Sequence, residues 1–359
     1  MTTRRLSAVL GILLTSALAH TGLVSVAAAA PAGSDAGSGS GQESRAAAPA
    51  QYLYSSIGDF DAEVKPLADR SDIAGVQVVV PWKALEPQKD QYDFSAIEEA
   101  LTYLQARHKK LFVQVQDRFF SAPTRLPNYL LTDPEYAGGA AATTNENGLG
   151  PGEPGAVAAQ WNPEVRRRFQ GLLKALADRF DGRLAGVNLP ETATQVDLAK
   201  DHSGYTDESY FRAELDNMAF GAKVFKRTRF IQYVNFWPGE WNNDHGYMEK
   251  TFEFAKAHGV GLGGPDVLPN RQAQMENSYP FFERYRGQLP MVAMAVQEPD
   301  FEYTSPSTGK PYTKEEFVDF GGRRLGADVM FWATSAPWLH QPASEPDLSG
   351  DGRHVCPGT

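Results

Sequence analysis

The chain holds a single cysteine, Cys356, placed in a polar C-terminal stretch of a 359-residue sequence. That excludes an internal disulfide, so an exported fold would have to be stabilised by its core alone. The lone thiol reads as incidental. Histidine is scarce too: seven residues, scattered, with no His-x-His or His-Glu-x-x-His spacing. Metal chemistry is therefore not expected, and Asp244-His245 reads as a surface turn. There is no Gly-x-Ser-x-Gly elbow, and Gly261-Leu-Gly-Gly264 fits tight packing after a strand better than a phosphate cradle. No cofactor is expected. No stripe of Lys and Arg interleaves with aromatics, and the formal charge is −10. Nucleic acid is thereby disfavoured as a partner, whereas uncharged sugars suit an acidic surface. Beyond the N-terminus no apolar run is long enough to span a bilayer, so stable membrane insertion is not expected.

What is present begins with an export signal. Arg4 and Arg5 precede an apolar stretch from Leu6 to Val26, and Ala27-Ala-Ala-Ala-Pro31 supplies small residues for cleavage. Residues 1–30 are thus expected to be a signal peptide, and the mature protein to be secreted with a formal charge of −12, two arginines having left. Residues 31–50, rich in Gly and Ser, are expected to be a flexible linker. A single domain over 51–340 and a polar tail over 341–359 complete the expected organisation.

Between 51 and 340, short β-branched or aromatic runs alternate with amphipathic stretches, the pattern of repeated βα units around a parallel sheet. Strands are expected at 52–57, 75–80, 111–116, 184–189, 229–235, 260–264, 291–297 and 327–332. Val76-Gln-Val-Val-Val80 and Leu111-Phe-Val-Gln-Val115 are apolar enough for burial on both faces. Ser95-Ala-Ile-Glu98 and Thr313-Lys-Glu-Glu316 match capping boxes, and Asn162-Pro163 matches a cap followed by a first-turn proline. Eight strands with seven helices specify an α/β fold, the (β/α)8 TIM barrel, with no clear helix after the eighth strand. One connection, residues 117–161, is far longer than a link requires. It leaves the carboxyl end of the third strand, where barrel active sites are built, and is expected to wall a cleft.

Two apolar runs end in glutamate: Leu184-Ala-Gly-Val-Asn-Leu-Pro-Glu191 and Met291-Val-Ala-Met-Ala-Val-Gln-Glu298. In a parallel barrel both carboxyls emerge at one rim, and a facing carboxyl pair is the minimal equipment for cleaving a glycosidic bond. Asn235, Trp237 and Trp241 follow the fifth strand in Asn235-Phe-Trp-Pro-Gly-Glu-Trp-Asn-Asn243. Their indole faces and amides suit a sugar's C–H groups and hydroxyls. Other rim carboxylates compete: Asp117, Glu240, Asp266, Asp300 and Glu302, with Glu240 the strongest substitute for Glu191 as proton donor. Arg118 is a candidate substrate clamp or ion-pair partner. Tyr233 would orient a carboxylate if its side chain points inward.

Counted by strand, Glu191 follows the fourth and Glu298 the seventh, and here the chain resembles the clan A, or 4/7, superfamily of retaining glycoside hydrolases. Trp82-Lys-Ala-Leu-Glu-Pro87, then Tyr92-Asp-Phe-Ser95, is similar to a stretch after the second strand in several of its families. Trp332 matches a tryptophan that floors the sugar subsite. The resemblance implies Glu298 as nucleophile, Glu191 as acid/base, Trp82 and Trp332 near the sugar, and an oligo- or polysaccharide substrate. The chain departs from the pattern just before Glu191. Pro190 stands where the superfamily places an asparagine for the sugar 2-hydroxyl, and Asn188 lies further back. A non-catalytic carbohydrate-binding protein on the same barrel is the rival expectation.

Overall fold

The computed structural model describes residues 48–144 and 153–341. The expected signal segment, the linker as far as residue 47, and the tail from 342 with Cys356 lie outside the described residues. So do residues 145–152, in the middle of the long connection.

Eight parallel strands close a barrel, running Ala50–Ser56, Gly75–Pro81, Lys110–Gln116, Gly186–Leu189, Arg229–Tyr233, Gly261–Gly264, Val292–Val296 and Val329–Ala333. They are called barrel strands one to eight below. Each falls on an expected strand, with ends differing by a few residues. Closure comes from strand one pairing with strand eight, Ala50 opposite Val329 through Tyr54 opposite Ala333. The chain therefore has the (β/α)8 architecture that its alternating runs predict.

Side chains alternate between two apolar layers, as the two-residue period of a strand requires. Leu53, Val76, Val78, Leu111, Val113, Val187, Met294 and Trp332 face outward and join the helices in the larger core. Tyr52, Tyr54, Phe112, Ile231, Tyr233, Ala293 and Phe331 fill the barrel interior. Low in the barrel, Tyr52, Phe112 and Phe331 meet edge-on, with ring centroids 5.1–5.7 Å apart. Inward-facing glycines make this possible. A Cβ on Gly186 would come within 2.5 Å of the Phe112 ring, and one on Gly75 within 2.6 Å of Tyr52.

The helix Pro163–Phe180 shows how the outer layer is specified. Asn162 accepts the Glu164 N–H at 2.9 Å, and Pro163 takes the first turn. Val165, Phe169, Leu172, Leu173, Leu176 and Phe180 then recur at helical spacing and are all buried, each contributing about 1.5–3 kcal/mol. Phe169 meets Trp82 edge-on at 5.0 Å. The expected box at Thr313 and Glu316 forms. The one at Ser95 does not: Asp93 accepts both the Ser95 N–H and its hydroxyl, and Glu98 turns to Arg179 and Arg183. A carboxylate two residues upstream outcompetes the serine oxygen as the cap.

The long connection after strand three is not irregular throughout. Arg118–Ser121, Ala140–Ala142 and Pro154–Ala158 pair as a small antiparallel sheet, with the short helix Asn128–Thr132 between its first two strands. Its strands were not foreseen: the first is only four residues long, and the Ala, Gly and Pro of the other two carry little strand propensity. Gly155 is required there: a Cβ would lie 1.8 Å from the Phe119 carbonyl.

Candidate active site

A cavity of about 460 Å³ opens at the carboxyl ends of the strands. Tyr54, Gln114 and Tyr233 line it from the barrel interior, Glu191 and Gln297 from the rim, and Phe119 and Phe120 from the small sheet. The volume falls in the range of ordinary small-ligand sites, about 300–1,000 Å³. The expectation that the long connection walls a cleft therefore matches its position.

Glu191 follows barrel strand four, and its carboxylate accepts a hydrogen bond from the Asn235 amide. Burial first, then the nearby Asp266 carboxylate, push its pKa up to about 8; Asn235, Arg118 and Arg271 act the other way. At neutral pH the group is largely protonated, the state a general acid needs. Asp266, buried after strand six, is itself raised to about 6, chiefly by burial, with Arg271 and a bond from Gln274 opposing. Asp300 is raised by burial and then by Asp266, while its carboxylate accepts the Gln297 N–H at 3.0 Å.

Glu298 stands beside the cavity. At the end of strand seven it is Gln297 that lines the space, its side-chain amide donating to the Pro265 carbonyl at 2.9 Å. One Glu298 oxygen accepts from the Ser335 hydroxyl at 3.0 Å, and the other is buried without a hydrogen bond. Tyr54 feels the charge of both glutamates. Burial raises its phenol well above the usual range, and Glu298, Glu191 and Asp266 each raise it further. All three carboxyls thus act on one hydroxyl, which stays protonated and available as a donor.

The remaining expected site residues divide sharply. Trp82 and Trp332 are completely buried in the outer core. Trp82 donates to Glu86 at 2.9 Å, and Trp332 donates to Gln51 at 2.6 Å and meets Trp338 edge-on at 4.8 Å. Their assignment to a sugar subsite is therefore corrected: strand alternation turns Phe331 inward and Trp332 outward. Trp237 is likewise buried, packed on Phe211 at 4.9 Å and Tyr210 at 5.7 Å. Among these indoles only Trp241 is open to solvent, 47% exposed and parallel to Phe236. Asn188 lies between the outward-facing Val187 and Leu189, so it points into the barrel. Its buried amide makes no hydrogen bond among the described residues.

Tyr233 does point inward and lines the cavity, but its hydroxyl bonds Gln77 at 2.9 Å rather than a carboxylate. Arg118 is buried in ion pairs with Asp117 at 2.9 Å and Glu214 at 3.1 Å. Of its two expected roles, ion pairing is the one observed: four of its five N–H donors are engaged with protein groups. Asn235 is buried and engaged with protein on both amide atoms. Glu240 caps the helix Tyr247–His258, accepting the Tyr247 and Met248 N–H groups, which removes it as a substitute proton donor at the cavity. Tyr54 and Gln297 were missed. The signal for each was positional: both sit on inward faces at the carboxyl ends of their strands.

No family model matches the chain, and no curated protein matches it in sequence. By fold it is similar to the catalytic domain of a β-amylase from Paenibacillus polymyxa, with a TM-score of 0.54, 9% identity, and coverage of 80% of this chain and 93% of that one. The barrel is shared with glycoside hydrolases. Looser likenesses include xylanase B from Clostridium stercorarium F9, at a TM-score of 0.45 and 10% identity, covering 80% of this chain and 86% of that one. A xylanase from Paenibacillus barcinonensis has a TM-score of 0.44 and 12% identity, over 79% of this chain and 84% of that one. Identities this low speak for the fold alone.

Proposed function

We propose that the protein is an exported glycoside hydrolase that cleaves O-glycosidic bonds in an oligo- or polysaccharide. The observation that carries this reading is Glu191: a carboxyl on the cavity wall at the end of barrel strand four, bonded by Asn235 and raised by burial to about 8. Glu191 would give its proton to the leaving glycosidic oxygen as the bond to the anomeric carbon breaks, a step worth about 10²–10⁴ in rate. Glu298 would attack that carbon to form a glycosyl ester. Glu191, now ionised, would then take a proton from the water that hydrolyses the ester, returning both carboxyls to their starting states. The Tyr54 hydroxyl would donate to the nucleophile's charge or to the sugar. The β-amylase among the fold neighbours and the expected export signal support a polysaccharide met outside the cell.

The purified mature protein should release reducing sugar from at least one member of a panel of chromogenic glycosides and plant or microbial polysaccharides. Its kcat/KM should fall above about pH 8 as Glu191 ionises. Glu298→Gln should lower kcat by about three orders of magnitude while the protein still folds and binds sugar. Undiminished hydrolysis by that variant removes Glu298 as nucleophile. A second reading, a barrel that binds carbohydrate without cleaving it, is favoured by one observation: Gln297, not Glu298, occupies the cavity lining at strand seven. Glycan binding without any product would select it.

A further inference from the structure

We propose that Arg118 and Asn235 are positioning residues for Glu191, Arg118 fixing its main chain and Asn235 its carboxylate, and that neither binds substrate. The proposal rests on the reading of Glu191 as the acid.

The hydrogen bonds that the two side chains make support it. The Arg118 guanidinium donates to the Glu191 carbonyl and the Tyr210 hydroxyl, and bonds Asp117 at 2.9 Å and Glu214 at 3.1 Å. Tyr210 in turn donates to the next carbonyl, that of Thr192, at 2.9 Å. Gln232 donates to the preceding one, that of Pro190, at 2.6 Å. Three consecutive carbonyls, 190 to 192, are thus held by side chains from three separate elements. Asn235 closes the clamp from the strand-five side. Its oxygen accepts the Phe236 N–H at 2.8 Å and the Ala193 N–H at 3.4 Å, while its amide donates to the Glu191 carboxylate. A segment whose only task was to link strand four to a helix would need no such grip. A carboxyl that must meet a glycosidic oxygen does, since a misplacement of about 1 Å costs on the order of 100-fold in rate.

The charged and titratable groups acting on Glu191 come from several elements: Asp266 after strand six, Arg118 after strand three, Arg271 beyond strand six, and Tyr54 on strand one. Asn235 donates to the ionised carboxylate, so losing it should move the Glu191 titration upward from about 8.

The test is a carbon-13 NMR titration of the full mature chain labelled at glutamate side chains, with the Glu191 resonance identified by its loss in Glu191→Gln. Asn235→Ala and Arg118→Lys are compared with wild type, alongside kcat and KM on whichever glycoside the wild type cleaves. The expected result is an upward-shifted titration in Asn235→Ala, a basic limb of kcat/KM that moves with it, and kcat lowered by about 10- to 100-fold in both variants with KM nearly unchanged. Arg118→Lys leaves Asp117 and Glu214 a cation but cannot reach both the Glu191 carbonyl and Tyr210. Should it not fold, Tyr210→Phe, which removes one grip without burying a bare charge, takes its place. A Glu191 titration unmoved in Asn235→Ala, in a variant with native circular dichroism, overturns the proposal. So does a raised KM with kcat unchanged, which would make the residues substrate contacts. If the wild type cleaves no glycoside, the titration still decides the positioning, and only the hydrolase reading fails.

Discussion

Replacing Glu191 by Gln should make the protein more stable at alkaline pH while lowering its activity, and the size of the gain follows from the site. Lifting the carboxyl from 4.5 to about 8 means that ionising it in the folded chain costs about 4–5 kcal/mol more than in the unfolded one. The sign runs against the usual carboxylate. Between those two values the folded state holds a proton that the unfolded state has released, so wild-type stability falls as pH rises, by at most about 1.4 kcal/mol per pH unit. Gln carries no such dependence, and its oxygen can still accept from Asn235. Asp266 also titrates in this range, but it does so in both proteins and largely cancels in the difference. Water at the cavity mouth screens part of the penalty. The variant should therefore gain about 2–4 kcal/mol over wild type between pH 5 and pH 8. Urea unfolding of both proteins at several pH values across that range measures it directly. A difference that stays flat with pH, or shrinks as pH rises, would refute the placement of an elevated carboxyl at this position, whatever the activity data say.

Three further outcomes follow from the packing. Gly263→Ala should cost about 3 kcal/mol or prevent folding, seen as a collapsed thermal transition, because its Cβ would lie 1.8 Å from the Ala293 carbonyl. Trp332→Ala should cost about 3–5 kcal/mol in urea unfolding with little change in KM, since the indole packs the outer core and not the cavity. Trp241→Ala should show the converse: stability within about 0.5 kcal/mol, and a weaker affinity for long oligosaccharides by titration calorimetry, given its exposed face over Phe236.

The barrel was legible because its strands are apolar on both faces and its helices carry their own start signals. The run Val76–Val80 is buried throughout, and Asn162-Pro163 caps a helix as its residue types require. Glu191 was legible for a related reason: a charged residue ending a buried strand can only emerge at the rim. What failed was facing. Trp82 and Trp332 were assigned by their nearness to strand ends, but a shift of one residue along a strand exchanges interior for exterior, and both point away from the cavity. The same alternation hid Gln297 behind its charged neighbour. Asn235 was read as ligand-facing, and Arg118 left between clamp and ion pair, because their partners, Glu191 and the Asp117–Glu214 pair, come together only in three dimensions. The small sheet after strand three escaped notice since its strands are three to five residues long, pair only with one another, and the second and third are mostly alanine, glycine and proline.

Arg118 begins the first strand of that small sheet, whose next two residues, Phe119 and Phe120, line the cavity. The peptide that lines the cavity is thus continuous with the arginine that holds the Glu191 main chain. If Glu191 is the acid proposed above, a relative of this barrel could not exchange the excursion for a shorter or differently folded one without unmooring it. On that reading, breadth of substrate choice and retention of chemistry are inherited through the same stretch of chain.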